Sequence, residues 1–180
     1  MILLDILTAS LFLGLPVMLV SWWVLNKLYD DGKLERSSDS KSVSKGLKSL
    51  KRSWKDEKDS AGFLEKRWMK FGGGFYGLTA LLTFIWIEIT GAFDFVFNFP
   101  GFEALFRDGV ISFLVSVLIN QVQNFVTAFL WFFYWPDEGT DRHLLVWVLV
   151  PYGAYWLGMQ LASREWDDWL DLYDDWRYRD

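Results

Sequence analysis

Five side chains carry the chemistry that the amino-acid sequence offers. Glu88 sits near the middle of one long apolar run, and Asn120, Gln121, Gln123 and Asn124 sit at the middle of the next. A carboxylate at the centre of a bilayer costs about 2.5–3.5 kcal/mol or more unless it is paired, hydrated or protonated. Amides at that depth are costly unless other helices answer them. Ser112, Ser116, Asn120, Asn124 and Thr127 recur at helical spacing and make one polar stripe about four turns long. Gln123 lies beside the stripe, and Gln121 points about 100° away from it.

An antiparallel hairpin brings these groups to one depth. Glu88 lies ten residues before Asn98, and Asn120 lies ten residues after Val110. That is about 15 Å from the same end of the pair. The expectation is a shared buried network of Glu88 with Asn120 and Asn124. One use for it is hydrogen bonding between helices, because apolar burial does not drive association inside lipid. The other is a proton or ion path, with Glu88 carrying the charge and the amides relaying or coordinating.

Other chemistries find little support. The chain has no cysteine, which excludes disulfides, thiolate metal sites and cysteine nucleophiles, and its one histidine, His143, cannot build a multi-histidine site. There is no HExxH, GxSxG, P-loop or GxGxxG pattern. Neither an enzyme nor a resident cofactor or metal is expected.

The elements that position the five residues are legible from composition. Of 180 residues 52% are hydrophobic, 12 are Trp and 16 are Phe, with the charges collected into blocks between apolar runs. Four runs are long enough to cross a hydrocarbon core of about 30 Å: 2–25, 72–98, 110–135 and 144–162. The fold class expected is all-α, a polytopic integral membrane protein forming one membrane domain over 1–180. The first run lacks a basic leader and a cleavage site, so it reads as a retained helix rather than a signal peptide. Pro16 is expected to kink it, and Pro151 to break the fourth run locally. Gly73 with Gly77, and Ala154 with Gly158, are small-residue pairs that permit close helix approach. The aromatic cluster Trp131–Trp135 reads as the interfacial end of the third run.

The segments between the runs carry amphipathic patterns. Val43, Leu47, Leu50 and Trp54 fall on one helical face, surrounded by Lys45, Lys48, Lys51 and Arg52. This basic face suits anionic headgroups or an acidic cytoplasmic partner. Nucleic acid is not expected, because eight acids share the same block. Residues 102–106 fit one turn of an interfacial helix. In the tail 163–180, Trp166, Trp169 and Trp176 lie at helical spacing among aspartates, a second lipid-facing or partner-facing surface.

Charge sets the expected orientation. The block 26–71 holds 13 of the 18 Lys and Arg residues. With Arg142 added the inner side carries 14, leaving Arg107, Arg164, Arg177 and Arg179 outside. Four alternating crossings then place both termini outside, and in a bacterium the membrane is the inner one with the tail in the periplasm. The function expected is that of a non-catalytic subunit or accessory scaffold of a membrane complex, its partners being lipids and other integral subunits or further copies of itself. A small proton or ion channel or transporter component is the alternative.

Overall fold

A computed structural model describes residues 2–56, 67–68, 70–99, 101, 109–136 and 143–164, with the side chains of 54–56 left aside. All regular structure among the described residues is helical. Four helices are long and apolar enough to cross a membrane: Ile2–Asp30, Gly74–Phe97, Val110–Phe129 and Leu144–Ser163.

The first span is α1 (Ile2–Ala9), a π-helical turn (Ser10–Gly14) and α2 (Leu15–Asp30). Pro16 explains the turn. It has no N–H to donate, and its ring would strike the carbonyl one α-turn earlier. Widening the preceding turn, with the Leu15 N–H bonded to Ser10 O, lets the helix continue past it. The span ends in a Schellman turn. Gly32 takes φ +65, its N–H bonds Tyr29 O at 3.0 Å, and the Lys33 N–H bonds Leu28 O at 2.9 Å.

The amphipathic helix is α3 (Ser40–Asp56), started by Asp39, whose carboxylate accepts from the Ser42 N–H at 3.0 Å. Its apolar face packs against the rest of the protein. Val43 and Leu47 are buried in the same cluster as Leu28 and Leu34, because the loop 31–39 folds them onto the end of the first span. Lys45, Lys48 and Arg52 remain exposed and Lys51 is half-buried, while the Trp54 side chain is outside the described residues.

The second span is α4 (Gly74–Phe97). Gly72, Gly73 and Gly74 all have positive φ, and this turn is tied by the Trp68 indole N–H to Gly74 O at 2.9 Å. Gly73 caps the helix, and a Cβ on Gly77 would lie 2.7 Å from Phe71 O. The Gly73–Gly77 pair therefore serves this tight entry and not a helix–helix crossing.

The third run is not one helix. α5 (Val110–Phe129) stops at Leu130, and a short α6 (Trp131–Tyr134) turns back. Trp131 lies beside Phe75 at 5.8 Å, and four residues later the Trp135 indole N–H bonds Thr83 Oγ1 at 2.9 Å. The chain has reversed along the second span. Trp131 is only 1% exposed and packs inside the protein, Phe132 and Trp135 are half-buried, and Phe133 and Tyr134 stay exposed. Irregular backbone at membrane depth is tolerated only when protein covers it.

The fourth span, α7 (Leu144–Ser163), stays helical through the buried Pro151. It runs parallel to the first span. Gly14 lies against Val150 and Ala154, and Gly158 lies against Met18, Ser21 and Trp22. At the end of both helices Arg36 Nη1 donates to Ala162 O at 3.0 Å, and Gln160 Nε2 donates to Ser38 O at 3.0 Å. The first and fourth helices therefore run parallel, where four alternating crossings would make them antiparallel, and Arg164 lies at the same end of the bundle as the start of the basic block. The reversal at Leu130 is what returns the chain to the other end before the fourth span begins.

Candidate functional site: an intramembrane carboxylate and an amide arc

The hairpin of α4 and α5 is antiparallel, with Tyr76 donating to Phe129 O and Phe84 beside Phe125 at 6.4 Å. Continuing that pairing brings Glu88 opposite Gln121 and Asn124. Gln121 Nε2 donates to Glu88 Oε2 at 2.9 Å, and Asn124 Nδ2 donates to Glu88 Oε1 at 2.9 Å. Each carboxylate oxygen therefore receives one amide N–H, a charge-assisted arrangement when the carboxylate is ionised.

The depth match expected from the sequence is present, but its members differ. Gln121 and Asn124 are three residues apart, about 60° on the wheel, so they straddle one carboxylate. Asn120 lies about 70° from the midline between them and Gln123 about 130°. Both are exposed, and among the described residues neither has a hydrogen-bond partner. Ser112 and Ser116 are exposed on the same side, and Ser116 Oγ donates back to Ser112 O at 2.9 Å. The residue expected to point away faces Glu88, and most of the stripe faces outward.

The reason is the placement of the hairpin. Its inner half packs into the bundle, burying Leu78, Thr79, Ala80, Leu81 and Thr83, while from Trp86 onward the second span is largely exposed. No residue in the most apolar stretch of the third span is buried, against 28% for the fourth span. Of α5 only Ala128 is buried.

Arg36 is the functional side chain that sequence reading missed. Its Nη2 bonds Asp30 Oδ1 at 2.5 Å, its Nη1 reaches Asn26 Oδ1 at 3.4 Å, and its guanidinium lies 5.5 Å from the Tyr29 ring centre. With Ala162 O and Arg164 O it answers terminal carbonyls of the fourth span, where the helix dipole favours a cation. The only sequence signal was a lone arginine just past a helix-ending glycine.

Asp31 and Asp39 lie outside the spans, and both carboxyls are held below the ordinary carboxylate range. A hydrogen bond from Lys33 does this for Asp31, and hydrogen bonds from Ser42 do it for Asp39. Among the described residues no group of three or more His, Asp and Glu side chains could hold a metal ion. The indole N–H groups of Trp131 and Trp147 are buried and have no partner among the described residues. The tail residues Trp166, Trp169 and Trp176, and the connector 102–106, lie outside the described residues.

Fold and site together define an all-helical protein with four helices able to span a membrane. No family model, curated protein or solved structure matches the chain.

Proposed function

We propose that this chain is a non-catalytic integral membrane subunit or accessory factor, held in a larger assembly through its third span. The observation that supports this is the face of α5 left uncovered by the described residues, with Asn120 and Gln123 exposed at mid-span and without partners among those residues. Burying an amide without a hydrogen bond costs a few kcal/mol, and hydrocarbon offers no acceptor or donor. A neighbouring membrane protein removes that cost. A proton or ion path through Glu88 has weaker support, because both carboxylate oxygens are engaged by amides of the same hairpin.

The setting we infer is a cytoplasmic membrane, the inner membrane if the source is bacterial, with the basic block inside. The parallel first and fourth spans then put the end of α7 on the inner side as well. Thirteen basic residues in 26–71 and Arg164, Arg177 and Arg179 lie on that side, leaving Arg107 and Arg142 on the other. This bias exceeds that of the alternating arrangement. The exposed lysines of α3 are suited to anionic headgroups there.

A photocrosslinking amino acid at position 120 or 123 tests the reading in native membranes. The expected result is a defined adduct with a distinct protein from both positions, and lipid adducts alone from Leu149, an exposed residue of the fourth span. Lipid adducts alone from all three positions would remove the third span as a docking surface.

A further inference from the structure

The polar side chains of the hairpin form a continuous arc. Around α5 the order is Gln123, Asn120, Asn124 and Gln121, and the last two hold Glu88. A helix seated on the Asn120 side would meet the unpartnered amides and the edge of the Glu88 carboxylate together. Two amide donors reduce the cost of a carboxylate in hydrocarbon but bring no opposite charge.

Among the described residues the spans bring no such charge to that depth. The four spans contain one basic residue, Lys27, in the last turn of α2. Phe12 touches Trp86, with ring centres 6.0 Å apart, which sets the depth of the second span against the first. Lys27 is 15 residues further along, so it lies roughly 20–25 Å from Glu88 along the bundle axis. A second copy in the same orientation keeps its Lys27 at that same distant depth.

We propose that the occupant of this face is a transmembrane helix of a different protein, carrying a lysine or arginine at mid-membrane opposite Glu88. This rests on the third span being a docking surface and adds the chemistry of the partner. Asn120 and Gln123 supply hydrogen bonds that align the incoming helix, and Glu88 selects it by charge. The amides from Gln121 and Asn124 hold the carboxylate in place before the partner arrives, so that little ordering remains to be done on docking.

The test uses the full chain in phospholipid vesicles. A donor dye is attached at Ile111→Cys, an exposed position in a chain with no other cysteine. Acceptor-labelled polyleucine transmembrane peptides carry Lys, Arg or Leu at the centre. The expected result is energy transfer that half-saturates at an about fivefold lower peptide-to-lipid ratio for the Lys and Arg peptides than for the Leu peptide. Glu88→Gln should erase that preference while leaving the Leu peptide curve unchanged, which also reports that the variant is folded. Asn120→Leu with Gln123→Leu should weaken the Lys and Arg peptides, whose side chains can donate to the amide oxygens, and not the Leu peptide, which has no side-chain donor.

Equal curves for Lys and Leu peptides, or a preference that survives Glu88→Gln, would overturn the charge selection. Transfer between copies of the chain at lower densities than with the Lys peptide would assign the face to a second copy instead. The vesicle and crosslinking results separate the two ideas: a protein adduct at 120 and 123 without any Lys preference sinks this inference alone.

Discussion

The first and fourth spans and the second and third spans are two helix pairs built on opposite devices. The first pair is closed by small side chains. Gly158 lets α7 settle onto the backbone of α2, where a Cβ would come 2.5 Å from Met18 O and still closer to Ser21 Oγ. Ser21 satisfies itself on Met18 O at 3.0 Å, so the contact exposes no polar group to lipid. The second pair is joined by aromatic rings at its inner half and by Glu88 at its outer half. Because lipid is as apolar as leucine, neither pair is held by a hydrophobic driving force. Close packing gives a finished contact with nothing left over. Hydrogen bonding between long polar side chains leaves α5 with amides on faces that the partner helix does not reach.

The contrast is breakable at Gly158. Gly158→Ala places a methyl against backbone that cannot rotate away, and should lower stability by about 1–3 kcal/mol. The probes are two buried alanines, Ala162 in the first pair and Ala128 in the second, both 0% exposed. Replaced singly by cysteine and labelled in detergent, position 162 should become reactive in the Gly158→Ala background and position 128 should not. Gly153→Ala is the control, since nothing lies within 4 Å of its added carbon. Equal reactivity at both positions would mean that the two pairs come apart as one unit.

The reciprocal experiment is Glu88→Ala. It removes two interhelical hydrogen bonds, each worth about 0.6 kcal/mol and at most about 1.7. Here position 128 should gain reactivity and position 162 should stay protected. A double-mutant cycle of Glu88→Ala with Asn124→Ala should return a coupling of about 0.6–1.7 kcal/mol. A coupling of zero would reduce the observed bond to a contact of no energetic weight.

The two pairs also differ in how far the sequence announced them. Hydropathy marks all four spans, because about 20 apolar residues have few other uses. Depth arithmetic brought Glu88 to the level of Asn120 and Asn124, since an antiparallel hairpin keeps equal rises on both sides. It could not choose between Asn120 and Gln121, which differ by 100° of rotation, because rotation is set by packing at Phe84, Phe125 and Phe129. The parallel course of the first and fourth spans was hidden for a different reason. It depends on a reversal at Leu130, where φ −95 and ψ 29 end the helix without a proline or glycine. Nothing in WFFYW distinguishes an interfacial belt from an aromatic plug, since both reward the same residues. Ala154 and Gly158 were readable as a packing face, but the match of Ala154 on Gly14 and of Gly158 on Met18 and Ser21 needed the direction of the helix.

The smallest effect concerns what closes the first pair. Loop 31–39 and α3 are latched to it by Arg36 and Gln160, while Val43 and Leu47 fill the cluster beneath. Asp39 begins α3, accepting from the Ser42 N–H at 3.0 Å and the Ser42 Oγ at 2.9 Å, and its carboxyl is held low chiefly by those bonds. A depressed folded-state value means the cap contributes fully above the unfolded aspartate range, about pH 3.9, and is lost as pH falls through the lower folded value. Protection of the Ser42 and Val43 amides, relative to the intrinsic exchange rate at each pH, should therefore fall in acid, and Asp39→Ala should show the low protection already at neutral pH. Position 162 should then become slightly more reactive and position 128 should not change, because Arg36 and Gln160 tie this region to the end of the fourth span. If protection at Ser42 ignores both pH and the substitution, α3 is held by its buried face alone, and the cap adds nothing to the pair it closes.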